Sequence, residues 1–137
     1  MSDSGKPVTC AVVGLGRVGS LLEDDELREK PCTHTGAISS NSECSLVGGC
    51  DIDADRREQF RERWSCTAVY GDVEGLLRET RPEVLCIATH PDSHLRMVQA
   101  AERYGVSVAV CEKPLAHTLP HARRIASVHR VGHTRVI

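Results

Sequence analysis

The strongest constraint on this chain is a glycine pattern that directly follows a short apolar segment. Residues 8–13, Val-Thr-Cys-Ala-Val-Val, are almost continuously apolar, which predicts a strand buried on both faces, as in a parallel sheet. Gly14, Gly16 and Gly19 follow at once with the spacing G-x-G-x-x-G. In this context the first glycine permits a tight turn, the second lets the backbone approach a pyrophosphate, and the third lets a helix pack on the strand. The pattern predicts a dinucleotide site at a helix N-terminus, with an ordinary Gly-rich turn as the alternative.

The rest of the chain alternates short apolar runs with helical patterns. Predicted strands cover residues 44–50, 67–70, 84–87, 106–111 and 134–137. Predicted helices follow Asp53, Asp72, Ser93 and Thr118, each of which is a favourable N-cap residue. Because consecutive parallel strands need a helical crossover, this order predicts an α/β fold with a Rossmann-like doubly wound parallel sheet, in a single domain over residues 1–137.

Length and composition exclude several classes of protein. The 137 residues suffice for one domain, and the net charge of -2 excludes a strongly basic nucleic-acid surface. No apolar run reaches the roughly 18–20 residues of a membrane span. The seven cysteines form no C-x-x-C pair, and four of them lie in or beside predicted strands, as small buried side chains would: Cys10, Cys50, Cys86 and Cys111. We therefore expect a cytoplasmic protein with reduced thiols and with no nucleic-acid or membrane partner.

Asp51 closes the second predicted strand, where dinucleotide folds place an acid that accepts hydrogen bonds from the adenosine ribose. It follows Gly19 by 32 residues, whereas the usual interval is about 20. A charged, irregular segment over residues 21–33 would account for the excess. The alternative is that Asp51 only caps the turn that follows it. Arg56 and Arg57 lie close enough in the sequence to hold a 2′-phosphate, so NADP stays open beside NAD.

Two further strands end in polar residues. Thr89 and His90 follow the fourth strand, and Lys113 follows the fifth. Because the carboxyl ends of parallel strands face the ligand crevice, we expect Thr89 and His90 to line the ribose and nicotinamide. An ammonium at residue 113 would point towards the nicotinamide and could polarise a substrate hydroxyl or carbonyl. A solvated surface lysine fits the residue pattern equally well.

A thiol or metal site is a third hypothesis for the same region. His90 and His94 are one helical turn apart, and Cys111 or Glu112 could supply a further ligand. A His94 that hydrogen-bonds or packs at the start of its helix is the simpler expectation.

Taken together and in order, these motifs resemble a known family. They are Gly-Leu-Gly-Arg-Val-Gly at 14–19, the acid at 51, Ile-Ala-Thr-His-Pro at 87–91 with His94, and Cys-Glu-Lys-Pro-Leu-Ala at 111–116. Over essentially its whole length the chain resembles the N-terminal NAD(P)-binding domain of the glucose–fructose oxidoreductase and inositol dehydrogenase (Gfo/Idh/MocA) family. The resemblance places the extra residues between Gly19 and His34.

The resemblance implies an NAD(P)-dependent oxidoreductase that moves hydride between nicotinamide and a secondary alcohol of a sugar or polyol. It implies Lys113 as the catalytic residue. From the residue pattern we expect no metal site. The resemblance implies cofactor contacts from these residues: Gly14, Leu15, Gly16, Arg17, Val18, Gly19, Asp51, Ile52, Ala88, Thr89, His90, His94, Glu112 and Lys113.

The resemblance also implies groups from outside this sequence. Members of the family continue into a second α/β domain, whose Asp-x-x-x-His pair supplies the acid/base and which also forms the substrate pocket. We therefore expect the 137 residues alone to lack a complete active site, and apolar residues on the face towards that domain to favour homo-oligomers. The alternative is a stand-alone, non-catalytic nucleotide-binding module, acting as a redox sensor or a partner subunit.

Overall fold

The computed structural model describes residues 5–137, which build a six-stranded parallel sheet. Its strands are β1 (Val8–Val13), β2 (Cys44–Cys50), β3 (Val69–Tyr70), β4 (Val84–Ile87), β5 (Val108–Cys111) and β6 (Arg135–Val136). The strand order is β3-β2-β1-β4-β5-β6, and every neighbouring pair is parallel. The order reverses beside β1, which opens a crevice between the carboxyl ends of β1 and β4. The predicted fold class is confirmed.

Helices cover both faces of the sheet. They are α1 (His34–Ser40), α2 (Ala54–Trp64), α3 (Val73–Thr80), α4 (His94–Arg103) and α5 (Leu119–Val131). Ile38 of α1 and Phe60 of α2 join one buried layer, while the apolar sides of α3, α4 and α5 join the other. Within residues 5–137, no helix combines the length and the apolar character that crossing a membrane requires.

Three of the four predicted N-caps are confirmed. The side chains of Asp53, Asp72 and Thr118 each accept a hydrogen bond from an amide in the first turn of the helix that follows. Ser93 is the exception, because a 3-10 turn over Pro91–Ser93 leads into α4 and leaves Ser93 already in a helical conformation. Its hydroxyl instead lies 2.6 Å from the Thr89 hydroxyl.

The cysteines in the strands behave largely as predicted. Cys10, Cys50 and Cys86 are buried in the two core layers, whereas Cys111 is only half-buried. Burial raises the pKa of the Cys10 and Cys50 thiols to about 12 and that of Cys86 to about 11. These three side chains therefore stay neutral at physiological pH and contribute by packing.

The helix expected after the glycines is short, and residues 21–33 form a brief helical extension followed by a loop, as the sequence predicts. The chain makes a single helical turn from Gly16, continues as a 3-10 helix over Leu21–Asp24 and runs irregularly to Thr33 before α1 begins. The segment over 21–33 is rich in charge, contains Pro31 and has no continuous apolar face to bury, so nothing favours a continued helix there.

The two pieces of the interrupted helix nevertheless join. The amides of His34 and Thr35 donate to the carbonyl oxygens of Val18 and Gly19 at 3.0 and 3.1 Å. In an uninterrupted helix those carbonyls would bond residues 22 and 23. The inserted residues therefore leave and re-enter the helix at nearly one point, which confirms their predicted place between Gly19 and His34.

The Glu23 side chain joins the start of the inserted segment to its end. Its Oε2 accepts hydrogen bonds from the amides of Cys32 and Thr33 at 3.1 and 3.0 Å, and from the Thr33 hydroxyl at 2.7 Å. Burial by itself would raise the pKa of the Glu23 carboxyl. The bonds from Thr33 and Cys32, with the nearby charge of Lys30, outweigh that effect and hold the pKa below its usual value.

The C-terminal end of α2 holds the outer side of the segment. Arg63 pairs with Asp24 at 2.8 Å, and the Trp64 indole N–H donates to the Ser20 hydroxyl at 2.9 Å. The Arg63 guanidinium also stacks 4.4 Å from the centroid of the Trp64 ring. These contacts tie the start of the segment to α2, and the bonds from His34 and Thr35 to the Gly-rich turn hold its end.

Replacing Glu23 tests this organisation. We expect Glu23→Gln to lower the free energy of unfolding by about 1–2 kcal/mol at pH 7, because the charge-assisted bonds are lost. Since folding lowers the pKa of this carboxyl, its contribution is present above the unfolded value of about 4.3 and is lost as the pH falls through the folded value. Urea unfolding should show a smaller difference in the free energy of unfolding between wild type and Glu23→Gln at pH 3 than at pH 7. Exposed Glu26→Gln is the control, and an equal loss at both pH values would contradict the assignment.

Candidate functional site

The turn after β1 has no room for side chains at its first and last glycines. Gly14 has φ +90°, and a Cβ on it would stand 2.6 Å from the backbone of Ala88. A Cβ on Gly19 would stand 1.9 Å from the carbonyl oxygen of Gly14. The predicted roles of these two residues, a tight turn and close packing against the strand, are confirmed.

The same turn presents a row of backbone donors. The N–H groups of Gly16, Arg17, Val18 and Gly19 have no acceptor within residues 5–137. They stand at the start of the helical turn that α1 continues through the bonds at Val18 and Gly19. Because the peptide dipoles of the turn and of α1 add, these groups carry partial positive charge and suit an anion such as a phosphate.

Asp51 lies next to this row, where β2 ends. Its Oδ2 accepts the Leu15 N–H at 2.9 Å, its Oδ1 accepts the Asp53 N–H at 2.9 Å, and the residue is 7% exposed. The bond to Asp53 is the capping contact that was the alternative for this residue. The bond to Leu15 joins the carboxylate to the Gly-rich turn across 36 residues, which a local cap does not require.

The two arginines after Asp51 have different surroundings. The Arg56 guanidinium lies 3.8 Å from the Asp51 carboxylate and about 3.5 Å from where a Cβ on Gly16 would stand, and it is half exposed. Arg57 instead donates to the backbone carbonyls of Asp51 and Ile52 at 2.8 and 3.0 Å. Arg56 therefore faces the site, while Arg57 supports the loop. The Ile52 side chain is 89% exposed beside them.

The loop after β4 packs against the Gly-rich turn. Ala88 donates its N–H to the Val13 carbonyl at 2.8 Å, and its backbone touches Gly14. Thr89 is half-buried, with its hydroxyl bonded to Ser93, and His90 is exposed. These residues lie at the crevice, as predicted.

His94 does not face the crevice. It is fully buried, with Nε2 lying 2.9 Å from the Thr89 carbonyl oxygen and Nδ1 lying 3.1 Å from the Leu115 carbonyl oxygen. With both ring nitrogens against backbone acceptors, it offers none to a cofactor or a metal. The predicted cofactor contact is therefore corrected: His94 connects the loop after β4 to the loop after β5.

The structure does not bring the residues of the thiol or metal hypothesis together as such a site. Burial, with a smaller contribution from the Glu112 charge, raises the pKa of the Cys111 thiol to about 11, so little nucleophilic thiolate exists at neutral pH. His94 has no nitrogen left to bind a metal. Within residues 5–137, no group of three His, Cys, Asp or Glu side chains is arranged to hold a metal ion.

The loop after β5 carries Glu112 and Lys113. The Glu112 N–H donates to the Ile87 carbonyl at 3.0 Å, which fixes the start of the loop on β4. Glu112 Oε1 lies 2.9 Å from His34 Nε2, and its Oε2 accepts the Lys113 N–H at 3.3 Å. The Lys113 side chain is exposed, and its ammonium forms no ion pair with any residue from 5 to 137.

Sequence reasoning did not find the contact between His34 and Glu112. The two residues are 78 positions apart, and the inserted segment hides the relation of His34 to the Gly-rich turn. A cleft of about 280 Å³ opens beside this pair. Its lining combines the inserted segment, α1, the Gly-rich turn and the loop after β5: Val18, Pro31, Cys32, Thr33, His34, Ala37 and Glu112.

Comparison with known proteins identifies the family to which this geometry belongs. The model of the oxidoreductase family Gfo/Idh/MocA, with its NAD-binding Rossmann fold, matches residues 8–136. The chain belongs to this family. It is an NAD-binding Rossmann domain of a family of NAD-dependent oxidoreductases, and the resemblance carried by the four motifs is confirmed.

Two curated members of the family align with much of the chain. D-apiose dehydrogenase of Paraburkholderia graminis is 33% identical over 88 residues, which are 64% of this chain and 23% of that protein. D-glucoside 3-dehydrogenase of Escherichia coli is 23% identical over 127 residues, which are 93% of this chain and 33% of that protein. The chain thus spans about a quarter to a third of the length of these relatives.

Solved structures show the same fold. The WlbA dehydrogenase of Bordetella pertussis, in complex with NADH and UDP-GlcNAcA, gives a TM-score of 0.80 at 19% identity over 96% of this chain and 36% of that one. An oxidoreductase of Desulfitobacterium hafniense, provisionally assigned as NADPH-dependent, gives a TM-score of 0.79 at 27% identity over 97% of this chain and 35% of that one.

Removing the buried imidazole tests its structural role. We expect His94→Ala to lower the free energy of unfolding by roughly 2–4 kcal/mol, because it removes a buried hydrogen-bond donor from between the Thr89 and Leu115 carbonyl oxygens and opens a cavity. Urea unfolding followed by circular dichroism measures the change. His117→Ala, at an exposed position, is the control and should change stability by less than about 0.5 kcal/mol. Equal stabilities for the two variants would contradict the role assigned to His94.

Proposed function

We propose that residues 1–137 form the cofactor-binding domain of an oxidoreductase that transfers hydride between nicotinamide and a secondary alcohol carbon of a sugar or polyol. One observation carries the proposal. Four backbone N–H groups, from Gly16 to Gly19, lack acceptors within residues 5–137, and they lie directly beside the carboxylate of Asp51. Donors for a pyrophosphate next to an acceptor for ribose hydroxyls match the polar groups of a dinucleotide.

The residues at the adenosine end fit NAD. Each carboxylate oxygen of Asp51 is bound by one backbone N–H and keeps further acceptor capacity for a ribose hydroxyl. The exposed Ile52 side chain offers an apolar surface for the adenine ring. The positive end of the helical turn at Gly16 favours the pyrophosphate charge.

Asp51 also favours NAD over NADP. A 2′-phosphate would bring negative charge against a carboxylate that the protein holds almost out of solvent. Arg56 favours NADP, since its half-exposed guanidinium lies 3.8 Å from the Asp51 carboxylate and could turn to a 2′-phosphate. The NADPH assignment of the Desulfitobacterium relative supports that alternative.

The residues at the proposed nicotinamide end of the site would contact the cofactor ring and the substrate oxygen. Thr89, His90 and Glu112 frame the place for the nicotinamide, whose C4 accepts or donates the hydride when the cofactor is bound. The exposed Lys113 ammonium would donate a hydrogen bond to the substrate oxygen. That bond strengthens as the oxygen gains charge during proton loss, which lowers the barrier for the alcohol to become a carbonyl.

The names of the relatives support the class of substrate. The two curated relatives are named as dehydrogenases of apiose and of a glucoside, and a structural neighbour is a myo-inositol 2-dehydrogenase. A further domain, as in these longer relatives, would provide the remaining substrate contacts and the acid/base. Formation of NADH from NAD⁺ and polyols by the purified chain would exclude the non-catalytic module.

Cofactor titration tests the proposal. We expect saturable NADH binding with a Kd below about 1 mM, and NADPH binding at least roughly tenfold weaker, because of the Asp51 charge. Asp51→Asn should reduce the difference in affinity between NADH and NADPH. Asp55→Asn, an exposed change in the first turn of α2, should leave that difference unchanged. Nicotinamide fluorescence measures both affinities. Absence of NADH binding would refute the proposal, and a preference for NADPH would assign the site to NADP through Arg56.

A second titration tests the role of Lys113. ADP-ribose retains the adenosine, the pyrophosphate and a ribose but lacks the nicotinamide. We expect Lys113→Gln to weaken NADH binding roughly three- to tenfold and ADP-ribose binding less than about twofold, the size of one hydrogen bond from a charged donor. Calorimetry measures both ligands. Equal effects on both would place Lys113 away from the nicotinamide.

A further inference from the structure

We propose that His34 is a positioning residue for Lys113 and that it acts through the Glu112 carboxylate. The inference rests on the proposed function for what Lys113 does. Glu112 uses its two oxygens on two different elements: Oε1 lies 2.9 Å from His34 Nε2, and Oε2 accepts the Lys113 N–H at 3.3 Å. Because a carboxylate only accepts hydrogen bonds, His34 is the donor of the first contact and carries a proton on Nε2.

The backbone before Lys113 is fixed by the sheet. At Lys113 itself, the Glu112 carboxylate restrains the backbone N–H. The Cys111 N–H donates to the Ile137 carbonyl at 2.8 Å, and the Glu112 N–H donates to the Ile87 carbonyl at 3.0 Å. Beyond Glu112 the ladder of β5 ends, and Lys113 and Pro114 are exposed. The Cys111 thiol contacts the Glu112 carbonyl oxygen at 3.7 Å, and His94 holds the loop two residues further on at Leu115. The bond to Oε2 is the contact that restrains the Lys113 N–H itself, and His34 holds the Glu112 carboxylate in the rotamer that makes it.

His34 is itself well held. It is the first residue of α1, its N–H is bonded to the Val18 carbonyl, and its side chain is 16% exposed. The preceding residue, Thr33, is bound by the Glu23 carboxylate. One continuous set of contacts therefore runs from the Gly-rich turn at Val18 through His34 and Glu112 to Lys113. It fixes the distance between the phosphate end and the nicotinamide end of the site.

A simple surface pair would behave differently. A partly exposed imidazole–carboxylate contact that only stabilises the fold would, on removal, affect all ligands alike. A positioning role affects the ligand that reaches Lys113. The nicotinamide therefore provides a readout that a structural role alone would not change.

The test compares NADH with ADP-ribose on the full 137-residue chain. We expect His34→Ala to weaken NADH binding roughly three- to tenfold and ADP-ribose binding less than about twofold. His34→Gln should restore most of the NADH affinity, because its amide N–H can donate to Glu112. Ser39→Ala, an exposed change in the same helix, should alter neither affinity.

A double-mutant cycle separates action through Lys113 from direct contact with the cofactor. If His34 acts through Lys113, His34→Ala should have almost no further effect on NADH binding in a Lys113→Gln background. A full additional loss in that background would overturn the proposal, as would equal losses for NADH and ADP-ribose.

Amide resonances test the contacts without any ligand. In a ¹H–¹⁵N spectrum, His34→Ala should shift the Lys113 amide signal and His34→Gln should largely restore it, while the Asp55 amide stays unchanged. An unchanged Lys113 signal in folded His34→Ala would overturn the proposal. If wild type bound no NADH, the proposed function would fail, and this measurement would still decide whether His34 orients the Lys113 peptide.

Discussion

Two backbone hydrogen bonds, from His34 and Thr35 to the carbonyls of Val18 and Gly19, are the contacts on which the candidate site depends. A polar insertion within the helix that follows the Gly-rich turn would otherwise separate that turn from α1. Because the bonds close the gap, the dipoles of the two pieces add and the N–H groups of the turn stay oriented for an anion. The same bonds place the His34 side chain against Glu112.

The polar groups of the site are oriented by the protein before any ligand arrives. Backbone N–H groups from Leu15 and Asp53 compensate the removal of the Asp51 carboxylate from water and hold it in one orientation, as the ribose contact proposed for it would require. His94 orients two loops of the site. Its buried ring lies between the carbonyl oxygens of Thr89 and Leu115 and so holds the loop after β4 against the loop after β5. The exposed residues of the site thus stand on a rigid base.

The inserted segment adds a local surface that the Rossmann sheet does not require. Glu23 folds it inward onto Thr33, and Arg63 and Trp64 tie it to α2. As a result, Pro31 and Cys32 line the cleft beside Glu112 and border the place proposed for the nicotinamide. An insertion at this point changes the edge of the candidate site while leaving the Gly-rich turn intact.

Local chemistry explains why most of the fold could be read from the residues. The apolar run at 8–13, the glycines after it and the caps at Asp53, Asp72 and Thr118 act over a few positions, so their patterns predict strands, a turn and helix starts. The family pattern likewise locates Asp51 and Lys113 at strand ends. The break in the first helix, the burial of His94 and the contact between His34 and Glu112 could not be predicted in this way. Each depends on backbone carbonyls or side chains from distant parts of the chain, and only the packed sheet and helices bring those atoms within hydrogen-bonding distance.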